Sequence, residues 1–213
     1  MKKTGVWLWI VAILAIGVAV VSYRYLLPGM PGAAPTIVTN RFAPTGALVL
    51  HAGIGATVLI LGALQFFPAI RARWPAWHRR AGTVYVAGCM IGGTAGLLLA
   101  FGSTAGPIAT LGFGLLAVLW LGFTANAWRL AKARDFARHE RWMLRSYALT
   151  FGAVTLRAYL PIGALLHIDF MTAYRAISFL AWVPNLIVAE IILARRVGAR
   201  TTPVRAAASH SRG

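Results

Sequence analysis

Polar residues break this chain into long apolar runs. The first covers residues 5–22, carries no charge and follows Lys2 and Lys3. No small-residue cleavage site follows it, and it is long for the core of a signal peptide, so it reads as a retained first span. Residues 28–45 are rich in Pro, Gly and Ala and read as an external loop. Residues 42–70 are uncharged apart from His51, enough for a second span. A basic turn at 71–80 follows. Pro75 suits a first helical turn, so a third helix is expected from about Trp74, with His78 in that turn.

Residues 81–128 contain no Asp, Glu, Lys or Arg over 48 positions. That is too long for one span and right for two, with the turn at 102–107. Asp135 is the expected N-cap of a fifth helix reaching about Leu165, with His139 in its first turn. A sixth helix is expected at 176–194. The predicted class is therefore all-α, a polytopic bundle of six transmembrane helices. Residues 1–41 form an anchor and loop, 42–195 a core of five spans, and 196–213 a basic tail without structure.

Composition agrees with a membrane protein: 59% of residues are hydrophobic, 12% are charged, and mean hydropathy is +0.72. The net charge of +17 would ordinarily point to nucleic acid. Its placement points elsewhere. Seventeen of the 21 Lys and Arg fall at 2–3, 71–80, 129–145 and beyond 194, all at run ends that share one side of a bilayer. The positive-inside rule explains this with both termini in the cytoplasm of an inner-membrane protein. The expected partners are the bilayer and its anionic headgroups, with no nucleic acid. Trp74, Trp77, Trp128 and Trp142 would form the aromatic belt on that side. The lone Cys89 can form no internal disulfide.

Sliding the chain by 61 residues places His78 on His139, Arg80 on Arg141, Arg73 on Arg134 and Gln65 on Asn126. A helix end, a basic turn and a His-x-Arg start thus occur twice. The second and third helices would form one hairpin and the fourth and fifth another, as a parallel repeat about an axis along the membrane normal. Gly88, Gly92 and Gly96 space a small-residue seam along the third helix.

Three ionisable groups fall inside spans: His51, Arg157 and Glu190. Such groups face the bundle interior or a cavity. At about 1.5 Å per residue, His51 lies about 8 Å and Arg157 about 12 Å below the outer surface, so a shared outward pocket is expected. Each has a plainer use. His51 can be a hydrogen-bonded core histidine, Arg157 can snorkel to the interface, and Glu190 can neutralise the inner basic cluster. Glu190 shares its depth with Gln65, Asn126, His78 and His139. Pro184-Asn185 would bend the last helix just above it.

The segments His51-Ala-Gly-Ile-Gly, Leu61-Gly-Ala-Leu-Gln-Phe66, His78-Arg-Arg-Ala-Gly-Thr-Val-Tyr85, Arg138-His-Glu-Arg-Trp-Met-Leu-Arg-Ser-Tyr-Ala-Leu149, Leu156-Arg-Ala-Tyr-Leu160 and Trp182-Val-Pro-Asn resemble the bacterial predicted membrane proteins called domain of unknown function 2306. The resemblance runs from about residue 42 to 190 and implies no established activity. The His-x-Arg starts are more loosely similar to those of transmembrane b-type cytochromes and ferric reductases.

Three functions stay open. One is a redox protein holding haem b between His78 and His139, with His51 as a further ligand and a quinone or other redox partner. Another binds or transports a small anion or lipid, using Arg80 and Arg141 at two helix starts and Arg157 with His51 in the outer pocket. The third is an accessory membrane protein without chemistry. The four carboxylates are too scattered for hydrolase work, and no nucleotide-binding loop, nucleophile elbow or zinc spacing is present.

Overall fold

The computed structural model describes residues 5–27 and 45–210, with side chains as far as 196. Lys2, Lys3 and most of the expected external loop lie outside the described residues. Helix α1 spans Val6–Ser22 and ends in a 3-10 turn, Tyr23–Leu26. Then come α2 (Thr45–Gln65), the short α3 (Pro68–Arg73), α4 (Pro75–Phe101) and α5 (Pro107–Lys132). The fifth span is α6 (Phe136–Thr150) with α7 (Gly152–Leu165), and the sixth is α8 (Phe170–Leu180) with α9 (Val183–His210). Six stretches among the described residues are long and apolar enough to cross a membrane.

Short connections force neighbouring spans to run antiparallel. Trp9 lies edge-on to Phe67 with ring centroids 4.9 Å apart, and Leu26 packs against Gly53, so α1 runs opposite to α2. The basic segments at 71–80 and 129–145 therefore meet at one end of the bundle, hereafter the basic end. Pro75 and Asp135 open their helices as expected, and Pro107, at the end of the expected turn, opens α5. The Asp135 carboxylate accepts from the Arg138 amide at 3.1 Å.

The glycine seam packs on α2. A Cβ on Gly88 would run into Val58, one on Gly96 would fall 2.8 Å from His51 Nδ1, and one on Gly92 would only touch Ile54 at 3.5 Å. Gly62 serves the same purpose from α2. A Cβ there would lie 2.7 Å from the Tyr85 ring and also strike Tyr147. Bulk is excluded where two helices must touch.

Three expectations change. The sixth span begins at Phe170, six residues before the expected start. Asp169 caps it, accepting from the Thr172 amide at 3.0 Å and the Thr172 hydroxyl at 3.1 Å. These two donors hold the Asp169 carboxyl below its ordinary pKa. The fifth span is interrupted at Phe151, where Gly152 brings α7 against the next span: a Cβ on Gly152 would meet the Ala181 carbonyl at 3.2 Å. The sixth span is interrupted at Ala181–Trp182, just ahead of Pro184, where the bend is expected. Pro184 cannot donate to the carbonyl of Leu180, so the turn before it opens. The helical backbone then continues to His210, into the stretch expected to lack structure. Its alanines at 206–208 are strong helix formers.

The two hairpins of the expected repeat differ in detail. Helix α4 is continuous over 27 residues, whereas its counterpart is split at Phe151.

Candidate functional site

A cavity of about 200 Å³ opens inside the bundle, lined by α2, α4, α5, α7 and α8 with Leu149 and Thr150 of α6. Ser103, in the turn between α4 and α5, lines it too, so it reaches toward the end opposite the basic turns. The two span-embedded groups expected to share a pocket, His51 and Arg157, both line it. Most of the remaining wall is apolar, and Ser103, Trp120, Thr150 and Tyr174 are its other residues with polar side-chain groups. Glycines at 55, 93, 96 and 152 leave the space open.

His51 is held in one orientation. Its Nδ1 lies 2.8 Å from the carbonyl oxygen of Gly92, and its ring rests on Gly96. A carbonyl only accepts, so Nδ1 carries the proton and Nε2 is the basic nitrogen. Gly96 is needed for the close ring contact, because a Cβ there would fall 2.8 Å from Nδ1.

Arg157 donates through Nη1 to the Ala153 carbonyl one turn back, at 3.0 Å. Tyr25 and Arg24 lie within Coulombic reach of it. No side-chain carboxylate of this chain serves as its counter-ion. The sequence has four, and each is engaged elsewhere. Asp135 caps α6, Asp169 caps α8, Glu140 pairs with Arg196 at 2.8 Å, and Glu190 holds Arg145 in a bidentate pair at 2.5 and 2.8 Å.

Below the cavity lies a hydroxyl network that the sequence reading missed. Tyr85 Oη sits 3.0 Å from Ser146 Oγ and 2.8 Å from Thr150 Oγ1. Trp120 Nε1 donates to Thr150 Oγ1 at 2.9 Å, and Thr124 Oγ1 lies 2.7 Å from Ser146 Oγ. Thr124 gives its proton to the Trp120 carbonyl at 2.7 Å, and Thr150 gives its proton to the Ser146 carbonyl at 3.0 Å. Ser146 is therefore the donor to Thr124, and the Tyr85 proton goes to Ser146 or Thr150. Every hydroxyl proton is used, so the network ties α4, α5 and α6 together. Hydroxyl residues cost little inside a span and so give a weak sequence signal. The one available clue was that Tyr85 and Ser146 stand 61 positions apart, the shift of the repeat.

At the basic end, His139 Nδ1 lies 2.8 Å from the Ala127 carbonyl and so carries its proton there. His78 is near it: His139, Arg71 and Arg79 all lie within Coulombic reach of His78. The buried Nδ1 of His78 and Nε2 of Gln65 have no hydrogen-bond partner among the described residues. Other expected members of this site are occupied elsewhere. Asn126 Oδ1 accepts from Arg129 on its own helix at 2.9 Å, Glu190 holds Arg145, and Arg80 and Arg141 are exposed.

Haem b was tested against both places. The cavity is smaller than the 300–1,000 Å³ usual for drug-sized ligands, and His51 is the single imidazole on its wall, so its residues do not fit a porphyrin. The His78–His139 pair fits in donor chemistry. His139 is oriented by a carbonyl and leaves Nε2 available, and His78 has an unpartnered ring nitrogen.

Comparison with known proteins returned no match among curated proteins or solved structures. A family model described as "Predicted membrane protein (DUF2306)" matches residues 48–193, almost the extent of the resemblance read from the motifs. The match takes in α4 to α8, most of α2 and the first part of α9, and so both the cavity and the basic-end histidines, and on it the chain belongs to the DUF2306 family of predicted membrane proteins.

Proposed function

We propose that this protein binds a small anion with an apolar portion in the cavity between α2, α4, α5, α7 and α8, and passes it across the membrane. The supporting observation is the uncompensated charge of Arg157. A guanidinium in an apolar cavity is costly, and no carboxylate of the chain offsets it. A bound anion would do so. Arg157 takes the anionic group, the Tyr174 hydroxyl steadies it, and the apolar wall holds the rest. His51 Nε2 accepts a hydrogen bond from a ligand that is protonated or carries a hydroxyl. The volume restricts the ligand to a few heavy atoms.

The surroundings suit passage as well as binding. Two neighbouring spans are interrupted side by side at the cavity wall, and discontinuous helices mark binding sites in many transporters. The basic end faces the cytoplasm on the positive-inside rule. The parallel repeat also belongs here. Tyr85 and Ser146, its equivalent positions, touch each other, as residues beside a two-fold axis would.

Thermal unfolding in detergent tests the reading. Short-chain monocarboxylates at about 100 times their Kd should stabilise the wild type by about 2.7 kcal/mol. Arg157→Gln should fold and lose that response. No stabilisation by any member of the series, or equal stabilisation of Arg157→Gln, contradicts it.

A second reading has its own observation. The orientation of His139 and the unpartnered nitrogen of His78 favour a b-type haem at the basic end, which would supply one-electron transfer. Protein from haem-replete cells would then show a Soret band that shifts with dithionite and vanishes in His78→Ala. A colourless preparation rules it out.

A further inference from the structure

Two buried polar atoms with no partner among the described residues, Gln65 Nε2 on α2 and His78 Nδ1 on α4, belong to the basic end. Gln65, the last residue of α2, is only 8% exposed. Its amide packs on α4 at Gly82, where a Cβ would be in ordinary contact with Gln65 Oε1 at 3.7 Å. The amide nitrogen next to that oxygen bonds to nothing among the described residues. His78 precedes Gly82 by four positions on the same face of α4, one helical turn nearer its start. Its Nδ1 is likewise buried and unpartnered.

A buried donor without a partner costs free energy, and native proteins rarely leave two together. Gln65 Nε2 can only donate. Neutral His78 can donate through Nδ1 as well. Two such donors on facing helices at one end of the bundle call for an acceptor. The charge around them points the same way: Arg71, Arg79 and His139 lie within Coulombic reach of His78, and no carboxylate does. Arg71 and Arg79 make none of the ion pairs found among the described residues. A water molecule would satisfy both donors, whereas an anion would satisfy them and also attract the exposed Arg71 and Arg79.

We infer that Gln65 Nε2 and His78 Nδ1 form the floor of a site for a phosphate oxyanion at the basic end of the bundle, with Arg71 and Arg79 as its charged rim. The phosphate is carried by an anionic lipid headgroup or is free in solution. His78 stands in the first turn of α4, beside exposed Trp74 and Trp77, so the anion enters by displacing interfacial side chains. The two donors read the oxyanion. The arginines attract it, as they would attract any anion.

The full chain in nanodiscs tests this by thermal unfolding in three settings: phosphatidylcholine, phosphatidylglycerol, and phosphatidylcholine with inorganic phosphate. Wild type should melt several degrees higher in one or both phosphate-bearing settings. A rise in phosphatidylglycerol alone identifies a headgroup, and a rise with inorganic phosphate alone identifies the free ion. Gln65→Leu and His78→Leu should each lose most of that rise. In plain phosphatidylcholine they should melt at or above wild type, because each removes an unsatisfied donor. Arg80→Gln, exposed and outside the site, should keep most of the rise. If Gln65→Leu does not fold, Gln65→Met keeps the length and apolar volume and serves in its place. Absence of any rise in wild type, or an undiminished rise in both leucine variants, overturns the site.

Discussion

At the scale of single residues, the span-embedded charges divide by whether this chain answers them. Glu190 and Arg145 answer each other, and Arg157 is left with one backbone carbonyl. Without ligand, Arg157→Leu should therefore leave stability unchanged or raise it by up to about 2.5 kcal/mol, measured by reversible unfolding in detergent. A marked loss would mean that the guanidinium already has a structural partner. Tyr85→Phe acts in the opposite direction. It removes a hydroxyl that sits between Ser146 and Thr150, and intramembrane hydrogen bonds average about 0.6 kcal/mol, with a maximum near 1.7. A loss of about 1 kcal/mol on the same assay is expected. The sequence singled out His51 and Arg157 because charge is rare inside a span. It could not single out Tyr85, Thr124 or Ser146, since hydroxyls are common there and their value lies in who meets whom.

At the scale of elements, bulk decides which helices touch. Gly62 faces the rings of Tyr85 and Tyr147, whereas a Cβ on Gly122 meets nothing within 4 Å. Gly62→Ala should destabilise by about 1–3 kcal/mol through overpacking, and Gly122→Ala should be neutral or slightly stabilising. Equal effects in thermal unfolding would contradict this packing. The interruption of the sixth span is repaired by side chains. Asn185 Nδ2 donates to the Ala181 carbonyl at 3.1 Å and to Thr155 Oγ1 at 2.8 Å, and Trp182 Nε1 donates to the Ser178 carbonyl at 2.8 Å. Asn185→Leu leaves that carbonyl without its donor, at a cost of about 1–3 kcal/mol. Faster amide exchange confined to residues 178–186 is the expected sign, and unchanged protection would refute it. Pro184 made this bend legible in advance. The split at Phe151 was not, because Gly152 alone does not break a helix. It needed the Ala181 backbone of the neighbouring span, which no local pattern reports. The early start of α8 depends on the Asp169 cap, which the hydropathy of the run from 176 does not report.

At the scale of the whole molecule, hydropathy and turn residues were enough to fix the number of spans, because a bilayer leaves few alternatives to apolar helices. The same two features placed the basic turns at one end. Cysteines introduced at residues 72 and 134 should therefore react with an impermeant thiol reagent from the same side of the membrane, and labelling from opposite sides would overturn the topology. The cavity was legible only as two charged residues at similar depth. Its volume and apolar wall come from glycines whose meaning depends on the packed bundle. Whether that space is shaped for an anion is the point on which the proposed function stands. Titration calorimetry with a short-chain monocarboxylate and its uncharged amide analogue tests it most directly. The carboxylate should bind wild type and fail to bind Arg157→Gln, and the amide should bind neither. Equal binding of the two analogues, or binding that survives Arg157→Gln, would show that the charge in the cavity has no ligand to hold.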